Sequence, residues 1–233
     1  MLSPYQGEGD DIAVHVQWLF GCDGFHSAVR QKLGVAFPGS SLHVEPHAVD
    51  VELTHWPYAT NVNVFMDRDG GCLAVQIGPN QLRLVTTTLA QKEAFLRDLP
   101  VTRVTWDSTF DVHFHVAAHY GHDHVWLAGD AVHVHSPVGG RGMNMGILDA
   151  VALAQSVQSG HLADYATQRH QAATQWVQVN RRISVIALDD AASSRRARRL
   201  LTLALPVLGK VMGARLAHTA FSRLSASCLT LVS

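Results

Sequence analysis

Asp130 and Asp23 are the two carboxylates of this 233-residue chain whose surroundings could build a ligand site. Asp130 follows the apolar run 125–128, and it is followed by Pro137, Gly139, Gly140 and Gly142. Four apolar residues ending in Gly-Asp read as a buried strand that delivers a carboxylate at its C-terminal end. The glycines then read as a loop opening a helix near Met143. Side chains absent at Gly139, Gly140 and Gly142 leave backbone N–H groups open to a ligand, and the helix start adds its partial positive charge there. A large polar cofactor suits that chemistry, with Asp130 accepting hydrogen bonds from its hydroxyls. Asp23-Gly24 is built alike: an alternating apolar run over 12–20, a turn at Gly21-Cys22-Asp23-Gly24, and a short helix over 27–33 carrying Arg30.

The phrase Gly129-Asp130-Ala131, His133, Pro137, Gly139-Gly140, Gly142, Asn144, Asp149-Ala150 and Leu153 resembles the second flavin fingerprint of the FAD-dependent aromatic hydroxylases. These are single-component flavoprotein monooxygenases related to para-hydroxybenzoate hydroxylase. Gly21-x-Asp23-Gly24-x-x-Ser27-x-x-Arg30 resembles the family's middle fingerprint, which it associates with FAD and the reduced nicotinamide. Order and spacing of the two are also the family's.

The resemblance implies roles residue by residue. Asp23 and Gly24 would face the cofactor, and Arg30 the pyrophosphate or the nicotinamide nucleotide, where a guanidinium fork pairs well with phosphate oxygens. Gly129 and Asp130 would hold the ribityl or nearby hydroxyls. His133 would belong to the cofactor loop, Pro137 would fix the part lying against the ring, and Gly139, Gly140 and Gly142 would let the backbone approach. The N–H groups of Met143 and Asn144, with the charge of Arg141, would sit near the pyrimidine edge and stabilise reduced flavin. None of these is a proton-transfer group, so no catalytic residue is assigned. FAD, NAD(P)H, oxygen and an aromatic or polyketide-like small molecule would be the reaction partners.

The elements that must position these residues are legible as patterns. Alternating runs over 47–53, 61–66, 72–77, 81–88 and 109–116, with turn chemistry between them, predict an antiparallel sheet. In the family this region is the substrate domain. A helix is expected over 90–99, ended by Pro100. Another, over 143–157, places Met143, Ile147, Ala150, Val151, Ala154 and Val157 on one apolar face, with Gly160 at its C-cap. Leu162, Tyr165, Arg169, Ala173, Trp176, Asn180, Ile183 and Ala187 step by three and four residues, so 162–188 should lie as a long amphipathic helix across the domain. Its Tyr165-x-x-x-Arg169 also matches the family. Beyond the arginines at 195, 196, 198 and 199, apolar stretches over 200–212 and 216–224 read as helices packing on their own domain in preference to a membrane surface.

The fold class expected is α/β, or α+β. Residues 1–35 and 120–160 would form the remaining part of an FAD-binding domain, 36–119 the substrate domain, and 161–233 a C-terminal helical region. The family's initial βαβ unit with Gly-x-Gly-x-x-Gly has no counterpart in the sequence. The expectation is therefore an N-terminally incomplete hydroxylase, a split enzyme whose second chain supplies that unit, or a remnant. A non-catalytic binding or association module is the alternative.

Composition narrows the classes further. With 47% hydrophobic residues the chain can bury a sizeable core, and a formal charge of -1 gives no electrostatic case for nucleic acid. Cys22, Cys72 and Cys228 form no Cys-x-x-Cys pair, which fits a reduced cytoplasm. No signal peptide or transmembrane segment is expected. Fifteen histidines invite a metal, but the close ones, from His113 to His135, lack a carboxylate or thiolate to complete a ligand set, so none is assigned. Ser136 beside His133 lacks a nucleophile elbow, which disfavours a hydrolase.

Overall fold

The computed structural model describes residues 14–66, 70–138, 140–189, 191–198 and 200. In chain order the elements are β1 (Leu19–Gly21), α1 (Ala28–Lys32), β2 (Gly39–Leu42), β3 (His47–Leu53), β4 (Val62–Met66), β5 (Gly71–Gly78) and β6 (Gln81–Thr86). Then come α2 (Leu89–Asp98), β7 (Val101–Thr109), β8 (Val112–Val116), β9 (Gly121–His122), β10 (Val125–Leu127), a 3₁₀ turn (Gly129–Ala131), β11 (His133–Val134), α3 (Gly142–Ser159) and α4 (Leu162–Leu188). The described residues divide into two compact units: those up to Ser40 with Phe114–Val179, and Ser41–His113 with the described residues from Asn180 to Leu200.

In the first unit, β1 lies parallel to β10, in the register Leu19↔Val125, Phe20↔Trp126 and Gly21↔Leu127, and β9 pairs antiparallel with the far side of β10. The strand expected over 12–20 is therefore short. Val14 and Val16 are exposed and unpaired with any strand, and residues 12 and 13 lie outside the described set. Gly21 permits a close approach, since a Cβ there would stand 2.7 Å from Leu127 Cδ2 and 2.8 Å from Val29 Cβ. Ser27 caps α1 by accepting from the Arg30 N–H at 2.9 Å, and the Asp23 carboxylate accepts from the Val29 N–H at 3.1 Å. The core of this unit gathers Leu127, Ala128 and Val132 with Met145, Leu153, Leu162, Tyr165 and Trp176.

The second unit is built on a five-stranded antiparallel sheet in the order β4-β5-β6-β3-β7. Val49, Val51, Leu82, Leu84, Cys72 and Ala74 form one face, packed with Phe95, Leu96 and Leu99 of or beside α2. Thr88 caps α2, and Lys92 reaches across to Asp107 at 2.9 Å. The expected alternating runs are strands, although the run over 109–116 contributes only Val112–Val116. β7 was not anticipated. It is an edge strand with mostly exposed side chains, so Arg103 and Asp107 give it the polarity of a loop.

Two helix faces differ from expectation. α3 buries Met145, Asp149 and Leu153 and leaves Met143, Ile147 and Val151 exposed, because the buried stripe contains a paired carboxylate that a purely apolar pattern passes over. α4 has the expected bounds and buries every expected position from Leu162 to Asn180, but it then buries Ser184 while Ile183 is 42% exposed. The apolar stretches 200–212 and 216–224 lie outside the described residues, apart from exposed Leu200.

Candidate functional site

Because β1 and β10 are neighbouring parallel strands, the turns that leave them end side by side. Ligands of parallel α/β sheets bind outside the carboxyl ends of the strands, which is where these turns lie. Ala128 continues the pairing by donating its N–H to the Gly21 carbonyl at 3.0 Å. A cavity of about 320 Å³ opens there, lined by Cys22 and Gly24 from the first turn, Ala128, Gly129 and Asp130 from the second, and Gly146 and Ala150 from α3. Gly142, Gly146 and Ala150 recur every fourth residue and give α3 a face without bulk. A Cβ on Gly146 would stand 3.7 Å from the Gly129 Cα, so helix and turn approach backbone to backbone. Gly129 has φ +64°, a left-handed conformation that favours glycine.

Of the residues singled out from sequence, Gly24, Gly129 and Asp130 line the cavity. Asp23 stands next to it, exposed, with its carboxylate turned to the start of α1. Burial works to raise its pKa, but the hydrogen bonds from the Ser27 hydroxyl and the Val29 N–H outweigh it and hold the group below the usual carboxylate range. Pro137 and Gly140 form a turn through the Gly140 N–H and the Pro137 carbonyl at 2.9 Å, while Gly139 lies outside the described residues. Arg141 stacks over Trp176 at 4.6 Å. Gly142, Met143 and Asn144 begin α3, whose first turn no side chain caps.

Arg30 and His133 are placed differently from the expectation. Arg30 is buried; it donates to the Ala131 carbonyl at 2.9 Å and the Phe25 carbonyl at 2.7 Å, and lies 3.9 Å over the Phe37 ring. Its fork is occupied by backbone oxygens, and it ties the first turn to the second instead of presenting itself to a phosphate. His133 is 1% exposed and donates from Nε2 to Asp149 at 2.6 Å, away from the loop surface.

Sequence reading missed the group behind the cavity. Asp149 is fully buried and accepts from His133, from Arg169 Nε at 2.7 Å and from the Gly129 N–H at 3.1 Å. Burial pushes its pKa up, yet the hydrogen bond and charge of His133 and those of Arg169 prevail and keep it below the ordinary range. Tyr165 donates to the Leu127 carbonyl at 2.6 Å. Both Asp149 and Arg169 stood in recognised patterns, but nothing in their spacing told that they meet. Cys22, Gly146 and Ala150 were also missed as cavity lining. Burial, then the charges of Asp23 and Asp149, raises the Cys22 pKa and keeps the thiol protonated at neutral pH. Among the described residues no group of three His, Cys, Asp or Glu is arranged to hold a metal ion, and no described helix is long and apolar enough to cross a membrane.

His135 supports the loop from below. Its Nε2 accepts from the Trp176 indole at 3.1 Å, so Nδ1 carries the proton donated to the Ser136 carbonyl at 2.8 Å. Burial lowers its pKa, so as pH falls the unfolded chain takes up a proton that the folded chain resists. This contribution is whole above the ordinary histidine range and is lost as pH falls through it toward the lowered folded value. Unfolding in urea should therefore give a smaller free energy at pH 5 than at pH 7. His135→Gln, which keeps an acceptor for Trp176, should lessen that difference; an undiminished difference would contradict this account.

The chemistry of the lining fits a flavin. Small residues expose backbone, and Asp130 offers an acceptor for hydroxyls. Comparison with known proteins agrees. A family model described as FAD binding domain matches residues 4–93 and 78–180. Rifampicin monooxygenase from Streptomyces venezuelae is 32% identical over 82% of this chain and 46% of its own length. The 6-methylpretetramide 4-monooxygenase of Streptomyces rimosus is 32% identical over 70% of this chain and 33% of its own. The solved structure of an anhydrotetracycline hydroxylase from Streptomyces rimosus superposes with a TM-score of 0.65, at 27% identity, covering 89% of this chain and 46% of that one. The chain thus spans less than half the length of these relatives. Two fingerprints converging on one cavity and a family match that runs from residue 4 to residue 180 lead to one assignment: the chain belongs to the FAD binding domain family, that of the FAD-dependent aromatic hydroxylases.

Proposed function

We propose that this chain is the flavin-facing and substrate-facing part of an FAD-dependent, NAD(P)H-using monooxygenase that hydroxylates an aromatic or polyketide-like small molecule. The observation that carries this reading is the meeting of the Asp23-Gly24 and Gly129-Asp130 turns at the ends of adjacent parallel strands, around one cavity. Bound FAD would supply electron acceptance from the nicotinamide and oxygen transfer to the substrate.

The chain's own residues would hold and orient it. Asp130 would accept hydrogen bonds from the ribityl or neighbouring hydroxyls, and Gly24 and Gly129 would let the backbone approach. The N–H groups of Gly142, Met143 and Asn144 would face negative charge on the reduced ring, helped by the α3 dipole and Arg141. Pro137, Gly139 and Gly140 would form the loop against the ring. Arg30 would act by holding the Ala131 carbonyl, and Asp23 by fixing the start of α1. Residues 1–35 and 120–160 would serve the flavin, 36–119 the substrate and 161–233 the supporting helices. Relatives named for rifampicin, 6-methylpretetramide and anhydrotetracycline support the substrate class.

A dinucleotide-binding unit, on the same polypeptide or on a second chain, would complete the enzyme. The greater length of the relatives supports it. So do the apolar side chains that α3 leaves uncovered: Met143 at 77% exposure, Ile147 at 54% and Val151 at 44%. A cytoplasmic location suits the reduced cysteines and the nicotinamide supply.

The test is purification followed by visible absorbance for bound flavin, then NAD(P)H oxidation with oxygen uptake on addition of phenols and fused aromatics. Flavin-dependent hydroxylated product is expected once the dinucleotide-binding unit is present. A folded, completed protein that takes up no flavin would favour the binding-module reading instead.

A further inference from the structure

The segment 127–133, which carries Gly129 and Asp130 to the cavity, is tied by backbone hydrogen bonds to Gly21, Ala117 and Tyr120, and side chains from elsewhere in the unit hold it at four further points. Tyr165 holds the Leu127 carbonyl, Arg30 the Ala131 carbonyl, and Asp149 both the Gly129 N–H and His133. Asp149 differs from the others because one buried carboxylate reaches two points of the segment. Its Oδ2 accepts from the Gly129 N–H and from His133 Nε2, while Oδ1 accepts from Arg169 Nε. Arg169 and His133 are themselves 4% and 1% exposed, so water does not substitute for the contacts.

We propose that Asp149 is the positioning residue of the candidate flavin site, holding the Gly129–Ala131 turn in its cofactor-receiving geometry through the Gly129 N–H and His133. This rests on the flavin reading, because the turn is what Asp149 presents. Gly129 adopts a left-handed conformation immediately before Asp130; its carbonyl accepts from the Val132 N–H at 3.0 Å within the turn, and its N–H is the group through which a side chain, that of Asp149, holds it. The carboxylate form is required because all three of its partners are donors. An amide at this position sets its NH₂ against Arg169 in one orientation, and against Gly129 and His133 in the other.

Amide hydrogen exchange gives the first readout and needs no flavin. In the wild-type chain the Gly129 amide should be protected although its turn borders solvent; an unprotected Gly129 overturns the proposal whether or not any variant folds. Asp149→Asn should speed exchange at Gly129 at least about tenfold relative to Leu127. Tyr165→Phe, which removes a buried hydrogen bond of the same segment but leaves the Gly129 acceptor, should not. Equal acceleration in both variants would reduce Asp149 to a general stabiliser. The second readout is the FAD dissociation constant from fluorescence quenching. Asp149→Asn should raise it about tenfold, and combined with Asp130→Ala it should add less than twofold to the effect of Asp130→Ala alone. Multiplying effects would contradict action through the turn. If Gly129 responds as stated while the wild type, completed by the dinucleotide-binding unit, binds no FAD, the flavin reading fails and the positioning of the turn stands.

Discussion

Arg169→Ala is expected to destabilise the chain by about 3–5 kcal/mol, the cost of leaving a buried charge without its partner. The reasoning starts from burial: Asp149 is 0% exposed and Arg169 4%, and their contact is 2.7 Å. Removing the guanidinium leaves the carboxylate with His133 and one backbone N–H. It also removes the donor to the Met145 carbonyl at 3.4 Å, which links α4 to the first half of α3. By contrast Arg103→Ala, at an exposed pair with Glu52, should leave stability almost unchanged, because solvent screens the pair. Urea unfolding followed by circular dichroism compares the two. Equal small losses would show that the Asp149 group is not the anchor that its burial implies.

Ala150→Trp is expected to abolish flavin binding, with a loss of at least about a hundredfold, while the chain stays folded. Ala150 is exposed, lines the cavity and takes no part in the buried stripe of α3, so an indole there need not displace core atoms. It would instead fill space that the every-fourth-residue run Gly142, Gly146, Ala150 keeps open. Ala154→Trp, one helical turn further on and absent from the cavity lining, is the matched substitution and should bind FAD as the wild type does. A folded Ala150→Trp chain with unchanged affinity would move the flavin away from this cavity.

Much of the frame that sets up these tests was legible in the residues. β3 and α4 have the expected bounds because each carries a clear period, two in one and about 3.6 in the other. Asp130 and Asp23 stand out in the sequence because a strand ending in a carboxylate and followed by glycine leaves a local trace. What was not legible is non-local. The buried face of α3 is organised by Asp149, whose burial is tolerated only because His133, sixteen residues earlier, and Arg169, twenty residues later, converge on it. Read by polarity alone, Asp149 belongs on the outside of the helix, and the apolar stripe at Met143, Ile147 and Val151 on the inside; both assignments invert. The placement of Arg30 was not legible for a related reason. A guanidinium suits a phosphate and a pair of backbone carbonyls equally, and only the turn geometry decides between them. β7 escaped because an edge strand with an exposed face has no apolar alternation to read.

The most direct measurement is a fluorescence-quenching titration of the purified 233-residue chain with FAD, alongside Asp130→Ala. The account predicts saturable quenching by the wild-type chain and its loss in the variant, with both proteins giving the same circular dichroism spectrum. Binding that is unchanged in a folded Asp130→Ala chain, or no saturable binding by the folded wild type even when the dinucleotide-binding unit is supplied, would contradict the claim that the two turns form a flavin site.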